Sequence, residues 1–316
     1  MELVAMATDL AEFLGAAIGF QLLFGMPLFP AALLTTFVTF GLLGLHGGKA
    51  RKFEVTIAGF VGLIGAAYLV EVFLASPPLE GVLGGLRPGF PAEDRGDAVF
   101  LATGILGATV MPHVIFLQSA LTQHRRPGLD TAGRNSINRL QIADVVGVMA
   151  LAGLINAAML VVSAAAFHGR GHSDVGSIEA AYVTLEGVLG PLAKQVFGIA
   201  LLASGLSSSA VGTLSGQIIM QGFLRRRLPL WLRRVVTILP ALAIIASGAD
   251  PTRALVWSQV VLSLGLPFAV VPLIVFTARR DLMGGLVNRP HVTLLAVLCG
   301  GLIIVLNATL LVKLFA

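Results

Sequence analysis

Charge is what this sequence has least of. Only 12% of its 316 residues are Asp, Glu, Lys or Arg, where a soluble domain carries about 25%. With 56% hydrophobic residues and a mean hydropathy of +0.92, the chain has too little polar surface to cover a water-facing globule. Its solvent is therefore expected to be lipid. Cysteine is nearly absent too. Cys299 stands alone inside an apolar run, which excludes an intrachain disulfide, and no Cys-x-x-Cys pair or His/Cys cluster has zinc spacing. The N-terminus lacks the basic flank that precedes the short apolar core of a cleavable signal, since Met1-Glu2-Leu3 leads straight into apolar sequence. A net charge of +5 and a pI near 10.0 suggest nucleic acid at first sight. The basic residues, however, sit in short clusters between apolar runs, which argues against a nucleic-acid partner.

What the sequence has in abundance is long apolar segments. Nine are long enough to span a bilayer, a crossing needing roughly 17–25 residues. They cover about 2–24, 31–46, 55–75, 98–122, 138–167, 190–223, 232–248, 252–277 and 291–314. The runs are continuous rather than alternating, so helices are expected and strands are not. Turn chemistry separates several of them: Gly25-Met26-Pro27 and Phe29-Pro30, then Ser76-Pro77-Pro78 at the head of a connection that also holds Pro88, Gly89 and Pro91. The fold class expected is an all-α polytopic membrane protein.

Alternate connections divide the basic residues unevenly. One side holds Lys49, Arg51, Lys52, Arg125, Arg126, Arg134, Arg139, Arg225, Arg226, Arg227, Arg233, Arg234, Arg279, Arg280 and Arg289, which is 15 of the 21 Lys and Arg. The other side holds Arg87, Arg95, Arg170, Lys194, Arg253 and Lys313. The positive-inside bias makes the first side cytoplasmic, with the N-terminus inside and the C-terminus outside. Gly15-x-x-x-Gly19 and the run Gly59, Gly62, Gly65 are expected to let helices approach closely.

A charged group in hydrocarbon is costly and marks a candidate site. Glu2, Asp9 and Glu12 fall on one face of the first span, within about 80° of one another. Such a stripe suits a water-lined proton or ion path. Arg233 and Arg234 open the seventh span, either as an interfacial anchor or as counter-charge to the acidic stripe. Asp144 is expected to pair with Arg139. Gln259, early in the eighth span, can turn its amide toward a ligand or link helices, whereas Asn156 and Asn307 read as links between helices.

The fourth span holds Pro112 in its middle. Proline has no amide hydrogen and its ring clashes with the carbonyl four residues back, which belongs to Ala108. A free backbone oxygen at mid-membrane is tolerated where it lines a protein cavity, and broken helices are where many secondary transporters bind their cargo. Met111 adds a thioether beside that carbonyl, a soft donor that favours transition metals over Ca2+ and Mg2+. His113 is a group able to carry or gate a proton near neutral pH. Met111-Pro112-His113 is accordingly the expected substrate site.

Gly107-Ala-Thr-Val-Met-Pro-His113 resembles the sixth-helix signature of the Nramp family of divalent metal transporters. Glu2 to Gly15 resembles that family's third helix, Ser204 to Gly212 its eighth, and Pro229-Leu-Trp-Leu-Arg-Arg234 the start of its ninth. The resemblance extends over essentially the whole chain. It implies a LeuT-like fold of inverted repeats and proton-coupled uptake of Mn2+ or Fe2+, with no cofactor and no enzymatic activity. It further implies Met111 and Ala108 as metal ligands, joined by Gln259 in some states. Asp9, Glu12, Glu2, His113, Arg233 and Arg234 are implied for proton movement or gating, in a bacterial inner membrane. Residues 1–75 would complete the first repeat, 98–277 form the second, and 291–314 add a C-terminal helix. The family's first helix carries an Asp-Pro-Gly-Asn motif with two metal ligands, and no such motif occurs here, where the only Asp-Pro is Asp250-Pro251. On the resemblance, the nine spans correspond to family helices 3 to 11, the first two being absent. Two alternatives stand beside transport of metal: a non-transporting membrane remnant or interaction subunit, and a carrier of organic substrates on the same fold.

Overall fold

A computed structural model describes residues 2–46, 50–87, 89, 95–123, 131–171, 175–224 and 229–315. Lys49, Pro88, Pro91, Arg125, Arg126 and Arg225 to Arg227 lie outside the described residues. Among the described residues the regular structure is entirely helical: α1 (Glu2–Phe24), α2 (Leu28–His46), α3 (Ala50–Ala75), α4 (Leu79–Gly85), α5 (Arg95–Thr109), α6 (Pro112–Gln123), α7 (Thr131–Ala166), α8 (Ile178–Leu189), α9 (Pro191–Ile219), α10 (Leu230–Ala246), α11 (Pro251–Ala278), α12 (Arg280–Met283) and α13 (Pro290–Phe315).

The apolar runs become helices because lipid offers the backbone no hydrogen bonds, and a helix satisfies all of them within itself. Six described helices are long and apolar enough to cross a membrane, and α2 carries a shorter apolar stretch over Leu28–Gly44. Several of the nine expected spans differ from a plain helix. The fourth is split into α5 and α6, and the seventh, α10, is 17 residues long with Pro240 inside it. The amphipathic α8 and the short α4 lie in connections that sequence reading left as loops. Ser177 caps α8, its hydroxyl accepting from the Ala180 amide at 3.1 Å. A short π-helical stretch, Met220–Leu224, ends α9.

The centre of the molecule is the pair α1 and α9. Most of α1 is buried, while α7 is almost wholly exposed along its span, as suits a helix facing lipid. On α9, Gly198, Gly205 and Gly212 recur every seven residues, which is two turns, so all three face one way. A methyl group on Gly205 would lie 2.4 Å from the Ala16 amide nitrogen, and one on Gly198 would lie 2.8 Å from Leu23 Cδ2. Gly19 presses on the Leu202 backbone in the same seam. The small-residue packing expected at Gly19 is therefore present, but Gly15, Gly59 and Gly62 face open space and Gly65 only touches Ile155. The glycines that matter most sit on α9. Asn307 acts as a link between helices as expected: Ser263 Oγ on α11 donates to its Oδ1 at 2.5 Å, and its Nδ2 donates to the Ile303 carbonyl at 2.9 Å.

Candidate functional site

Two groups of candidate residues emerge, in different parts of the helix bundle. The first is a charged seam where α1, α9 and α10 meet. Asp9, Glu12, Arg233 and Arg234 are all buried. Arg234 Nη1 lies 3.4 Å from Asp9 Oδ1 and donates to Thr213 Oγ1 at 3.0 Å, while Nη2 reaches the Ser209 hydroxyl. Its guanidinium also sits 5.9 Å from the centre of the Phe13 ring. Arg233 Nη1 donates to the Thr213 carbonyl at 2.6 Å. A buried ion pair is tolerated where hydrogen bonds satisfy what remains of each charge, and α9 supplies part of them from Ser209 and Thr213, while Glu12 Oε2 and Arg234 Nε stay buried without a hydrogen bond among the described residues.

Glycine makes the room. A methyl group on Gly212 would sit 2.5 Å from Glu12 Oε2 and 2.9 Å from Asp9 Oδ1, and one on Gly216 would overlap the Arg233 guanidinium at 1.7 Å. The absence of a side chain at these two positions, one helical turn apart, is what lets three of the charged groups pack against α9. The sequence carried a signal for this, the glycine spacing on α9, which reading for charge alone passes over. Glu2 opens α1, but its side chain lies outside the described set.

The second group surrounds the broken helix. α5 ends at Thr109 and α6 begins at Pro112, leaving Val110 and Met111 as the link. Pro112 occupies the first position of α6, where its missing N–H costs least. Ala108 is exposed and Met111 half-buried. α11 packs against both halves of the break. On it Gln259 is half-buried, and its Oε1 is buried with no hydrogen-bond partner among the described residues. Met111 and Gln259 make no hydrogen bond with each other, so the structure brings these three residues to neighbouring elements without closing them into a cage. No cluster of three or more His, Cys, Asp or Glu suited to a metal occurs among the described residues.

His113 joins the two groups. It is buried at the start of α6, and its Nδ1 lies 3.3 Å from Thr8 Oγ1 on α1, one residue before Asp9. Thr8 Oγ1 is also within 3.0 Å of the Val4 carbonyl, to which it donates. With that proton committed, the imidazole nitrogen facing Thr8 is the one free to donate to the hydroxyl oxygen. The break and the acidic stripe are thus in mechanical contact through one hydrogen bond.

One expectation needs correction. Asp144 forms no ion pair with Arg139 among the described residues; both are exposed, and Asp144 instead lines a cavity of about 430 Å³ with Gln118, Ser119 and Gln141 between α6, α7 and α11. Glu71, four residues from the end of α3, is a further buried acid, which the sequence reading does not mark.

A family model described as natural resistance-associated macrophage protein-like, Nramp, matches residues 1–313. A divalent metal cation transporter MntH of Deinococcus radiodurans is 53% identical over 310 residues, covering 98% of this chain and 70% of that protein. One of the same name from Chromohalobacter salexigens is 51% identical over 316 residues, covering 99% of this chain and 73% of its own. Among solved structures, the Eremococcus coleocola manganese transporter, in complex with an aromatic bis-isothiourea substituted compound, superposes with a TM-score of 0.82 at 33% identity. That superposition covers 99% of this chain and 69% of the other.

Proposed function

The chain belongs to the Nramp family and has its LeuT-like helical fold, and on that premise we propose that it carries divalent transition-metal ions, Mn2+ and Fe2+, across the membrane together with protons. The observation that carries the reading is the break between α5 and α6. It sets a carbonyl without its helical amide beside a thioether, and the helix packed on both halves of the break, α11, carries the orphaned amide oxygen of Gln259. In this reading Met111 gives the soft donor, Ala108 the backbone oxygen, and Gln259 a third ligand when α11 closes on the break.

The seam is assigned the proton. Asp9 and Glu12 take it up and pass it, Glu2 lies at the inner end of the same face, and Arg233 and Arg234 set the electrostatic balance. His113 communicates between metal and proton through Thr8. Catalysis is not part of the reading. The chain is an integral membrane protein; we place it in a bacterial inner membrane with its N-terminus cytoplasmic, on the distribution of basic residues.

The test is Mn2+ uptake into proteoliposomes holding a metal-sensitive dye, run with and without an inward proton gradient. The reading predicts faster uptake with the gradient, accompanied by acidification of the lumen. Mn2+ entry with no proton movement would remove the coupling, and no entry under any gradient would remove the transport reading.

A further inference from the structure

Glu71 lies outside both groups described above. On the outer part of α3, Ala67, Tyr68, Glu71 and Ala75 are all buried, while Ala66, Leu69, Val70 and Phe73 are exposed. These four form one stripe at spacings of three and four residues, so Glu71 shares a face with its neighbours one turn to either side. That face packs on α9 and α7. Ala67 and Tyr68 cluster with Ala200 and are flanked by Ile64, Ile155, Ala158 and Val196.

Glu71 is 1% exposed, and its Oε1 is buried without a hydrogen-bond partner among the described residues. No described Lys, Arg or His lies within ion-pair distance of it. On α9 the sole charged residue is Lys194, two residues from Val196 and so about 160° around the helix from the face that meets α3. It is bound instead to Glu186 of α8 at 2.5 Å, above the Tyr182 ring. On α7 the charged residues are Arg134, Arg139 and Asp144. Asp144 is eleven residues, about 16 Å, inward of Ile155, and Ile155 is level with Gly65. α2 presents no Asp, Glu, Lys or Arg. On α8, Glu179 is the remaining charge, and it is an acid. Tyr68, one turn back on α3, is the only other titratable group on the stripe. Nothing around Glu71 therefore supports a negative charge, and an ionised carboxylate left so would cost several kcal/mol.

We propose that Glu71 is a proton-binding site separate from the Asp9–Arg234 seam, and that its neutral acid form holds α3 closed against α7 and α9. It stands four residues, about 6 Å, from the end of α3, on the side of the bilayer opposite the basic clusters. A proton arriving from that side has a short path. When the proton leaves, the carboxylate must reach water, and the only way is for the α3 stripe to part from α9. Proton occupancy at Glu71 and closure of this seam are then linked, with the closed form binding the proton more tightly.

Two readouts test this without relying on transport, so they can fail while metal uptake stands, and the reverse. In nanodiscs at neutral pH, an infrared difference spectrum of wild type minus Glu71→Gln is expected to contain the carbonyl band of a protonated carboxyl. Melting temperature is expected to fall more steeply for wild type than for Glu71→Gln as pH rises above roughly 4.3, the ordinary Glu value. The closed fold binds a proton there that the unfolded chain has released, so rising pH weakens only the wild type. A difference spectrum with no such band, or parallel melting curves, would overturn the proposal. So would a Gln variant that fails to fold, because an amide matches the neutral acid in shape.

Discussion

The charged seam and the broken helix divide the chain's polar chemistry between them in opposite ways. At the seam, Arg234 meets Asp9, Ser209, Thr213 and the face of Phe13, and Arg233 meets the Thr213 carbonyl, all within the chain itself. At the break, Ala108 is exposed, Met111 is half-buried, and the buried Oε1 of Gln259 has no hydrogen-bond partner among the described residues. Buried charges paired across three helices fix structure, whereas donors left open at membrane depth suit a guest. The difference teaches where stability and where ligand chemistry reside: the seam should dominate the first and the break the second.

The sharpest way to break that comparison is to remove one partner of the seam. Arg234→Ala leaves Asp9 buried beside Glu12 without its cation, and a loss of about 3–5 kcal/mol is expected. Chemical denaturation in detergent, with Asp9→Asn alone and with the double variant, measures it. The double variant should recover part of the loss, because a lone buried charge is worse than none. Overpacking comes next. Gly205→Ala forces a methyl group onto the Ala16 backbone, and about 1–3 kcal/mol is expected from the same assay. Gly15→Ala, in open space on the facing helix, serves as the control with no loss.

Smaller still is Ser263→Ala, which deletes the hydroxyl that joins α11 to Asn307 of α13; about 1 kcal/mol is expected. The smallest effect belongs to the turn after α11. Arg279 holds the Asp281 carboxyl below its ordinary range through two hydrogen bonds, at 3.1 and 2.5 Å. Such a depressed carboxyl contributes stability above its unfolded pKa and loses it as pH falls through the lower, folded value. Both side chains are exposed to solvent, so Asp281→Asn should leave the acid limb of a melting-temperature profile almost unmoved.

The sequence made the helices legible because lipid enforces continuous apolar runs, and each of the nine spans coincides with helix over most of its length. The proline rule located the break at Pro112 and identified Ala108 as the carbonyl that loses its amide. What sequence concealed has one cause in common: it depends on which face of a helix meets which neighbour. Asp144 looked like a partner for Arg139 and lines a cavity instead. Gly59 and Gly62 looked like packing glycines and face open space, while Gly212 and Gly216 looked ordinary and make room for the charges. Glu71 carries no mark in the sequence, and only its burial draws attention to it. The pairing of Thr8 with His113, 105 residues apart, had no local signal at all.

The contrast between seam and break is tested most directly by Met111→Ala in proteoliposomes, with Mn2+ and Ca2+ uptake measured side by side against wild type. Met111 is half-buried, and its side chain makes no hydrogen bond among the described residues, so replacing it should barely change folding. Without the soft donor, the site is left with oxygen ligands, and the preference for Mn2+ over Ca2+ should fall by an order of magnitude or more, on the order of 1–2 kcal/mol. Unchanged folding together with an unchanged Mn2+ preference would contradict the assignment of the break as the metal site.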